Sequence, residues 1–152
     1  MKEFIPWSAS MSVGIQEIDQ QHRQLLSIIN KLYEILVYHP TDNNEQINQI
    51  LDELVQYTII HFAVEESLFR IFDYPACDEH KQIHTDLKEQ LAVINEKIQN
   101  GEKTVTLELM TFLRKWLRDH IMIEDKKYGS FFSNKGIAKT SPGKCWIRKF
   151  WN

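Results

Sequence analysis

The sequence has few of the residues that interrupt or cross-link a chain. Five glycines, four prolines and two cysteines occur among 152 residues. Two cysteines are too few for a disulfide framework, and the scarcity of glycine and proline excludes a collagen-like chain and leaves little room for long loops. A chain of this length is expected to form one domain around one hydrophobic core.

Long hydrophobic runs are also missing. Apolar runs such as residues 121–123 are far shorter than the roughly 18 residues that a membrane-spanning helix needs. The N-terminal residues, MKEFIPWSAS, contain neither an apolar segment nor a cleavage signature of a secretory signal. The sequence therefore predicts no transmembrane segment, and we expect a cytoplasmic protein.

The charge is small in total but unevenly distributed. The formal net charge is −3, yet residues 130–152 contain five basic residues and no acid. The rest of the chain therefore carries a net charge of −8. An acidic body is unsuited to a phosphate backbone, so we expect no nucleic-acid partner.

Four segments carry apolar residues at spacings of three and four, the periodicity of amphipathic α-helices. Residues that favour turns separate these segments, including Pro40, Pro75 and Gly101. The pattern predicts an all-α, antiparallel up-down-up-down four-helix bundle with an N-terminal arm and a short C-terminal tail. The predicted helices span about residues 18–38, 45–72, 76–99 and 104–131.

Histidine interrupts the apolar stripe of all four helices. A single buried histidine is most simply explained as a core residue with a satisfied hydrogen bond. Five of them, with Glu65 one turn after the second, indicate a metal site instead. These histidines are His22, His61, His80, His84 and His120.

The spacing of these residues suits shared ligation. His61 and Glu65, like His80 and His84, are four residues apart, which places both side chains of each pair on one helix face. On the fourth helix, spacing favours Glu124 as the matching carboxylate, because Asp125 points about 140° away from His120 on an ideal α-helix. A local π-bulge would instead turn Asp125 inwards, so either acid could be the ligand on this helix.

Seven ligands of these types call for two metal ions. A structural zinc site would stop at four ligands, usually including sulfur, whereas imidazole combined with carboxylate also suits iron. Two octahedral ions offer twelve positions. Five imidazoles, two bridging carboxylates and one solvent-derived bridge fill eleven, so a small molecule could bind to one ion only.

The full pattern resembles the hemerythrin family, in particular the stand-alone bacterial hemerythrins. The motifs are IDQQH (18–22), HFAVE (61–65), HKQIH (80–84) and HIMIED (120–125), and the resemblance covers about residues 4–137. It implies two irons bridged by Glu65, Asp125 and an oxo or hydroxo group. It further implies His80, His84 and His120 on the saturated iron and His22 and His61 on the iron with the open position.

The resemblance implies reversible binding of dioxygen, for transport, storage or delivery to an oxygen-using enzyme, and not an enzyme. Leu117 matches the family position whose side chain covers the oxygen pocket, although its spacing fits an ordinary core leucine equally well. Two other functions stay open. One is a di-iron enzyme acting on peroxide or nitric oxide, and the other is an oxygen sensor working through a separate partner.

The C-terminal tail departs from the family pattern. We expect residues 1–137 to form the bundle and residues 138–152 to form a tail that mixes basic and aromatic residues. Such a tail could fold back on the bundle or remain disordered, or it could dock on a partner or an anionic membrane surface, with nucleic acid as the weakest alternative.

Overall fold

The computed structural model describes residues 2–39 and 43–134, and every regular element in these ranges is helical. After a short 3-10 turn, Ala9–Met11, the long helices are α1 (Gln16–Tyr38), α2 (Asn44–Ile71) and α3 (Cys77–Gln99). The fourth begins as α4 (Leu107–Asp119), passes through a π-helical turn (His120–Asp125) and continues as α5 (Lys126–Asn134). The predicted four-helix bundle is confirmed. The predicted tail lies outside the described residues.

Short connections make successive helices antiparallel neighbours. Asp73, with a φ of 52°, turns the chain between α2 and α3, and Gly101, with a φ of 75°, follows the end of α3. Gly101 suits that position because glycine adopts positive φ without steric cost. Thr106 caps α4 by accepting a hydrogen bond from the backbone N–H of Leu109 at 3.2 Å, so this helix starts slightly later than its periodicity predicts.

The polar stripe residues lie between two parts of the hydrophobic core. The large core cluster occupies most of the bundle, and the small core cluster gathers aromatic residues near one end. On α1, for example, His22 follows Ile18 of the small cluster and precedes Leu25 of the large one. Hydrophobic packing on both sides therefore encloses the polar residues within the bundle.

The N-terminal arm is fastened to the bundle beside the π-helical turn. Asp19 accepts hydrogen bonds from the Ser12 hydroxyl at 2.5 Å and the Val13 backbone N–H at 2.9 Å. Gly129 approaches the Val13 carbonyl so closely that a Cβ would collide with it. In the described part of the chain, no helix is long and apolar enough to cross a membrane.

Candidate metal centre

Seven polar side chains meet inside the bundle with almost no exposure to solvent. None of them is more than 4% exposed. All four long helices contribute, so the cluster is assembled by tertiary packing from positions far apart in the chain. The seven are the predicted ligands His22, His61, Glu65, His80, His84, His120 and Asp125.

The cluster divides into two groups that share two carboxylates. Within each group the potential ligand atoms lie within 4.8 Å of one another. One group contains three histidines and the other contains two, while Glu65 and Asp125 belong to both. The first group has His80, His84 and His120, and the second has His22 and His61.

The Nε2 atoms of the five histidines face the carboxylates at short distances. His61 Nε2 lies 2.6 Å from Glu65 Oε1, and His84 Nε2 lies 3.2 Å from Glu65 Oε2. The Nε2 atoms of His22, His80 and His120 each lie 3.0 Å from an oxygen of Asp125. Each carboxylate therefore has histidines from both groups around it.

Several of these buried atoms are close together without forming hydrogen bonds. Both oxygens of Asp125, Oε2 of Glu65 and Nε2 of His80 have no hydrogen-bond partner. Buried polar groups are normally satisfied, and leaving them unpaired costs free energy. Nitrogen and oxygen atoms that converge in this way, several of them unsatisfied, fit cations, so these residues could hold a pair of metal ions.

The π-helical turn decides which acid of the fourth helix enters the cluster. It widens the helix over His120–Asp125 and brings Asp125 to the same face as His120, with the Asp125 side chain fully buried. Glu124 is 29% exposed and accepts a hydrogen bond from Lys127 Nζ at 3.1 Å. The preference for Glu124 from α-helical spacing is therefore wrong, because the helix does not keep that spacing here.

Three further polar side chains contact the cluster from outside. His61 Nδ1 lies 2.6 Å from Gln21 Oε1, and His84 Nδ1 lies 3.1 Å from Glu66 Oε1. The Tyr128 hydroxyl donates to Glu65 Oε1 at 3.1 Å. Sequence reasoning assigned no contact with the cluster to Gln21, Glu66 or Tyr128. The available signal was adjacency, since Gln21 precedes His22 and Glu66 follows Glu65.

Aromatic rings fix the orientation of the imidazoles and shield them from water. Phe62 stacks on His84 with ring centroids 3.7 Å apart, and Trp116 stacks on His120 at 4.5 Å. Phe69 packs against His80 at 4.8 Å. These contacts limit ring rotation, so the Nε2 atoms are held towards the carboxylates.

The charges of the cluster are strongly coupled in the protein without metal. Burial opposes the protonation of His22, but its close contacts with Asp125 and Glu65 and the attraction to their charges outweigh burial and raise its pKa from 6.5 to about 9. Burial likewise opposes ionisation of both acids, yet the neighbouring histidines lower the pKa of Glu65 and of Asp125. Burial lowers the pKa of His61. Without metal, a proton on His22 therefore offsets part of the negative charge of the two carboxylates.

A narrow apolar cavity adjoins the cluster. Its volume is about 20 Å³, and Leu117, Phe62 and Trp116 form part of its wall. Leu117 is 6% exposed and lies one turn before His120. Because Phe62 and Trp116 also stack on histidines of the cluster, the cavity and the cluster share a wall.

Comparisons with known proteins agree with this architecture. A profile of the hemerythrin HHE cation binding domain matches residues 13–132. The bacteriohemerythrin of Stenotrophomonas maltophilia is 35% identical over 122 residues, which are 80% of this chain and 77% of that protein. The bacteriohemerythrin of Methylococcus capsulatus is 31% identical over 128 residues, which are 84% and 95% of the two chains.

Solved structures of hemerythrin are also similar to this chain. Wild-type hemerythrin matches with a TM-score of 0.78 and 30% identity, covering 84% of this chain and 96% of that chain. A hemerythrin mutant with leucine replaced by alanine matches with a TM-score of 0.79 and 29% identity, covering 85% and 97%. The fold, the buried histidine and carboxylate cluster and the sequence similarity thus lead to one conclusion: this chain belongs to the hemerythrin family.

Proposed function

We propose that this protein binds dioxygen reversibly at a di-iron centre held by the seven clustered residues. The observation that carries the proposal is the unequal division of the cluster, with three histidines in one group, two in the other and two carboxylates common to both. Two octahedral ions held by these residues, with a solvent-derived oxygen shared between them, would leave one coordination position open, in the group of His22 and His61. A small diatomic ligand fits such a position.

Iron at this centre would supply the electrons that dioxygen takes up when it binds. The protein residues have other tasks. Glu65 and Asp125 would hold the two ions at a fixed separation, because each carboxylate contacts histidines of both groups. The five neutral imidazoles add no further negative charge, which favours binding over oxidative chemistry that needs more strongly donating ligands.

The surroundings of the cluster also favour binding over turnover. None of the ten described residues that line the adjoining cavity is ionisable. Its one hydroxyl, on Thr58, donates a 2.7 Å hydrogen bond to the Leu54 carbonyl of its own helix. A wall of this kind offers a bound oxygen molecule no acid or base that could drive its reduction onwards. The protein would then transport dioxygen, store it or deliver it to an oxygen-using enzyme.

The proposal is tested by loading the protein with ferrous iron without air, titrating dioxygen and then removing it. We expect two irons per chain and an absorption band that forms with dioxygen and disappears when the gas is removed. A band that decays while a reductant, peroxide or nitric oxide is consumed would show an enzyme instead. A stable band whose formation changes the affinity for a partner protein would show a sensor.

His61→Ala provides the matching test of the ligand set. Removing this nearly fully buried imidazole is expected to lower the iron content below two per chain, because only His22 then remains as a nitrogen ligand in its group. His39→Ala is the control, since His39 is exposed at the end of α1. Equal iron contents in the two variants would contradict the assignment.

A further inference from the structure

The two groups of histidines differ in the residues that hold them from outside. Because the Nε2 atoms face the carboxylates, a proton on these rings belongs on Nδ1 when the cluster holds metal. His61 Nδ1 then donates to the amide oxygen of Gln21 at 2.6 Å. His84 Nδ1 donates to the carboxylate of Glu66 at 3.1 Å. One outer partner is neutral and the other is an acid.

The Glu66 carboxylate is largely removed from water. Its side chain is only 13% exposed. Within residues 2–39 and 43–134, its one ion-pair contact is with His84. An acid in this position acts chiefly on the imidazole that it contacts and, through that ring, on whatever the ring binds.

The acceptor of the Nδ1 proton changes what the imidazole donates through Nε2. A carboxylate draws the proton more strongly than an amide does, so His84 becomes a stronger electron donor than His61. The negative charge of Glu66 also favours a higher positive charge on a nearby ion, and this effect is large in a buried site. Both effects stabilise ferric over ferrous iron in the group that contains His84.

We propose that Glu66 makes the iron held by His80, His84 and His120 easier to oxidise than the iron in the other group. The outer partner in that other group, Gln21, carries no charge. The inference rests on the di-iron function proposed above. Glu66 acts through His84 and is a positioning and tuning residue, not a ligand. Oxidation here is the loss of one electron from one iron to dioxygen or, in the test below, to an electrode.

The test is the reduction potential of the iron-loaded protein, measured without dioxygen. Glu66→Gln preserves a hydrogen-bond acceptor for His84 and removes only the charge. We expect the ferric-to-ferrous ratio at a fixed potential to fall about tenfold, which corresponds to a shift of about +59 mV for a one-electron couple. Iron content should stay at two per chain, because the hydrogen bond is retained.

Two variants separate the local effect from a change in overall charge. Glu53→Gln removes the same charge from an exposed position on the same helix and should leave the potential unchanged. Gln21→Glu places an acid beside His61 and should shift the potential in the negative direction. The Gln21→Glu variant also tests the proposal if Glu66→Gln fails to fold. A potential for Glu66→Gln equal to that of Glu53→Gln, or a shift of Gln21→Glu in the positive direction, would overturn the proposal.

The reduction potentials are measured without dioxygen, so they do not depend on whether dioxygen binds reversibly. A wild-type protein that holds two irons but does not release dioxygen would contradict the proposed function, while the shifts in potential would still test the role of Glu66. A wild-type protein that holds fewer than two irons overturns both proposals, and the iron count identifies that outcome directly.

Discussion

The hydroxyl of Tyr128 donates a 3.1 Å hydrogen bond to Oε1 of Glu65, the carboxylate oxygen that also lies closest to His61. Both side chains are completely buried. Tyr128 belongs to the small core cluster, so it connects the aromatic end of the bundle to the polar centre. Burial and the neighbouring carboxylates raise the pKa of Tyr128 well above its usual value, which keeps its proton available for this bond.

Replacing Tyr128 with phenylalanine should therefore weaken the fold and leave its shape intact. The variant keeps the buried ring and loses one hydrogen bond to a charged group, so the free energy of unfolding should fall by about 2 kcal/mol. Urea denaturation of the metal-free protein measures this. Tyr57→Phe, at a half-buried position on α2, is the control. Equal losses in the two variants would show that the bond to Glu65 contributes nothing specific.

The adjacent acids of the fourth helix should respond very differently to the loss of their charge. Asp125→Asn removes a carboxylate shared by both groups and should reduce iron content well below two per chain. Glu124→Gln should leave the iron content unchanged, because this side chain faces Lys127 outside the cluster. Iron analysis after loading and desalting makes the comparison. Equal retention by the two variants would refute the inward position of Asp125.

Shortening Leu117 should open the wall between the apolar cavity and the centre. Leu117→Ala is expected to accelerate autoxidation of the oxygenated protein, because water gains access to the bound ligand. The same change should lower stability by about 2–5 kcal/mol. Leu91→Ala enlarges the same cavity but lies seven residues from His84 on α3. An autoxidation rate for Leu117→Ala no faster than that of Leu91→Ala would assign Leu117 to ordinary packing.

The metal-free protein should become less stable as the pH rises from 6.5 through about 9. The pKa of His22 is raised from 6.5 to about 9 on folding, so its contribution is complete below the unfolded value and is lost as the pH rises through the folded one. The metal-loaded protein should not share this loss, because metal binding requires the deprotonated imidazole.

Thermal denaturation of stripped and loaded protein at several pH values tests this prediction. In the stripped protein, His22→Gln should flatten the decline, because glutamine does not titrate. The variant isolates the contribution of His22 from other groups that titrate near pH 9. A melting temperature of the stripped wild-type protein that does not fall between pH 6.5 and 9 would contradict it.

The helical periodicity of the sequence by itself determined the number of helices and the faces that they bury. Apolar residues at helical spacing predict four helices, and short turns make neighbouring helices antiparallel, because little chain is available for longer crossings. The four helix assignments agree with the structure to within a few residues. The histidines at positions 22, 61, 80, 84 and 120 fall on the same stripes, so their inward direction follows from the same periodicity.

Tertiary structure decided the features that depend on departures from periodicity or on neighbours from other helices. The inward position of Asp125 depends on a π-helical turn that ideal α-helical geometry does not contain. The contact of Glu66 with His84 joins α2 to α3, and that of Gln21 with His61 joins α1 to α2. Periodicity gives the direction of a side chain from its own helix. It does not give the atom that the side chain meets, because that depends on how the helices are packed against one another.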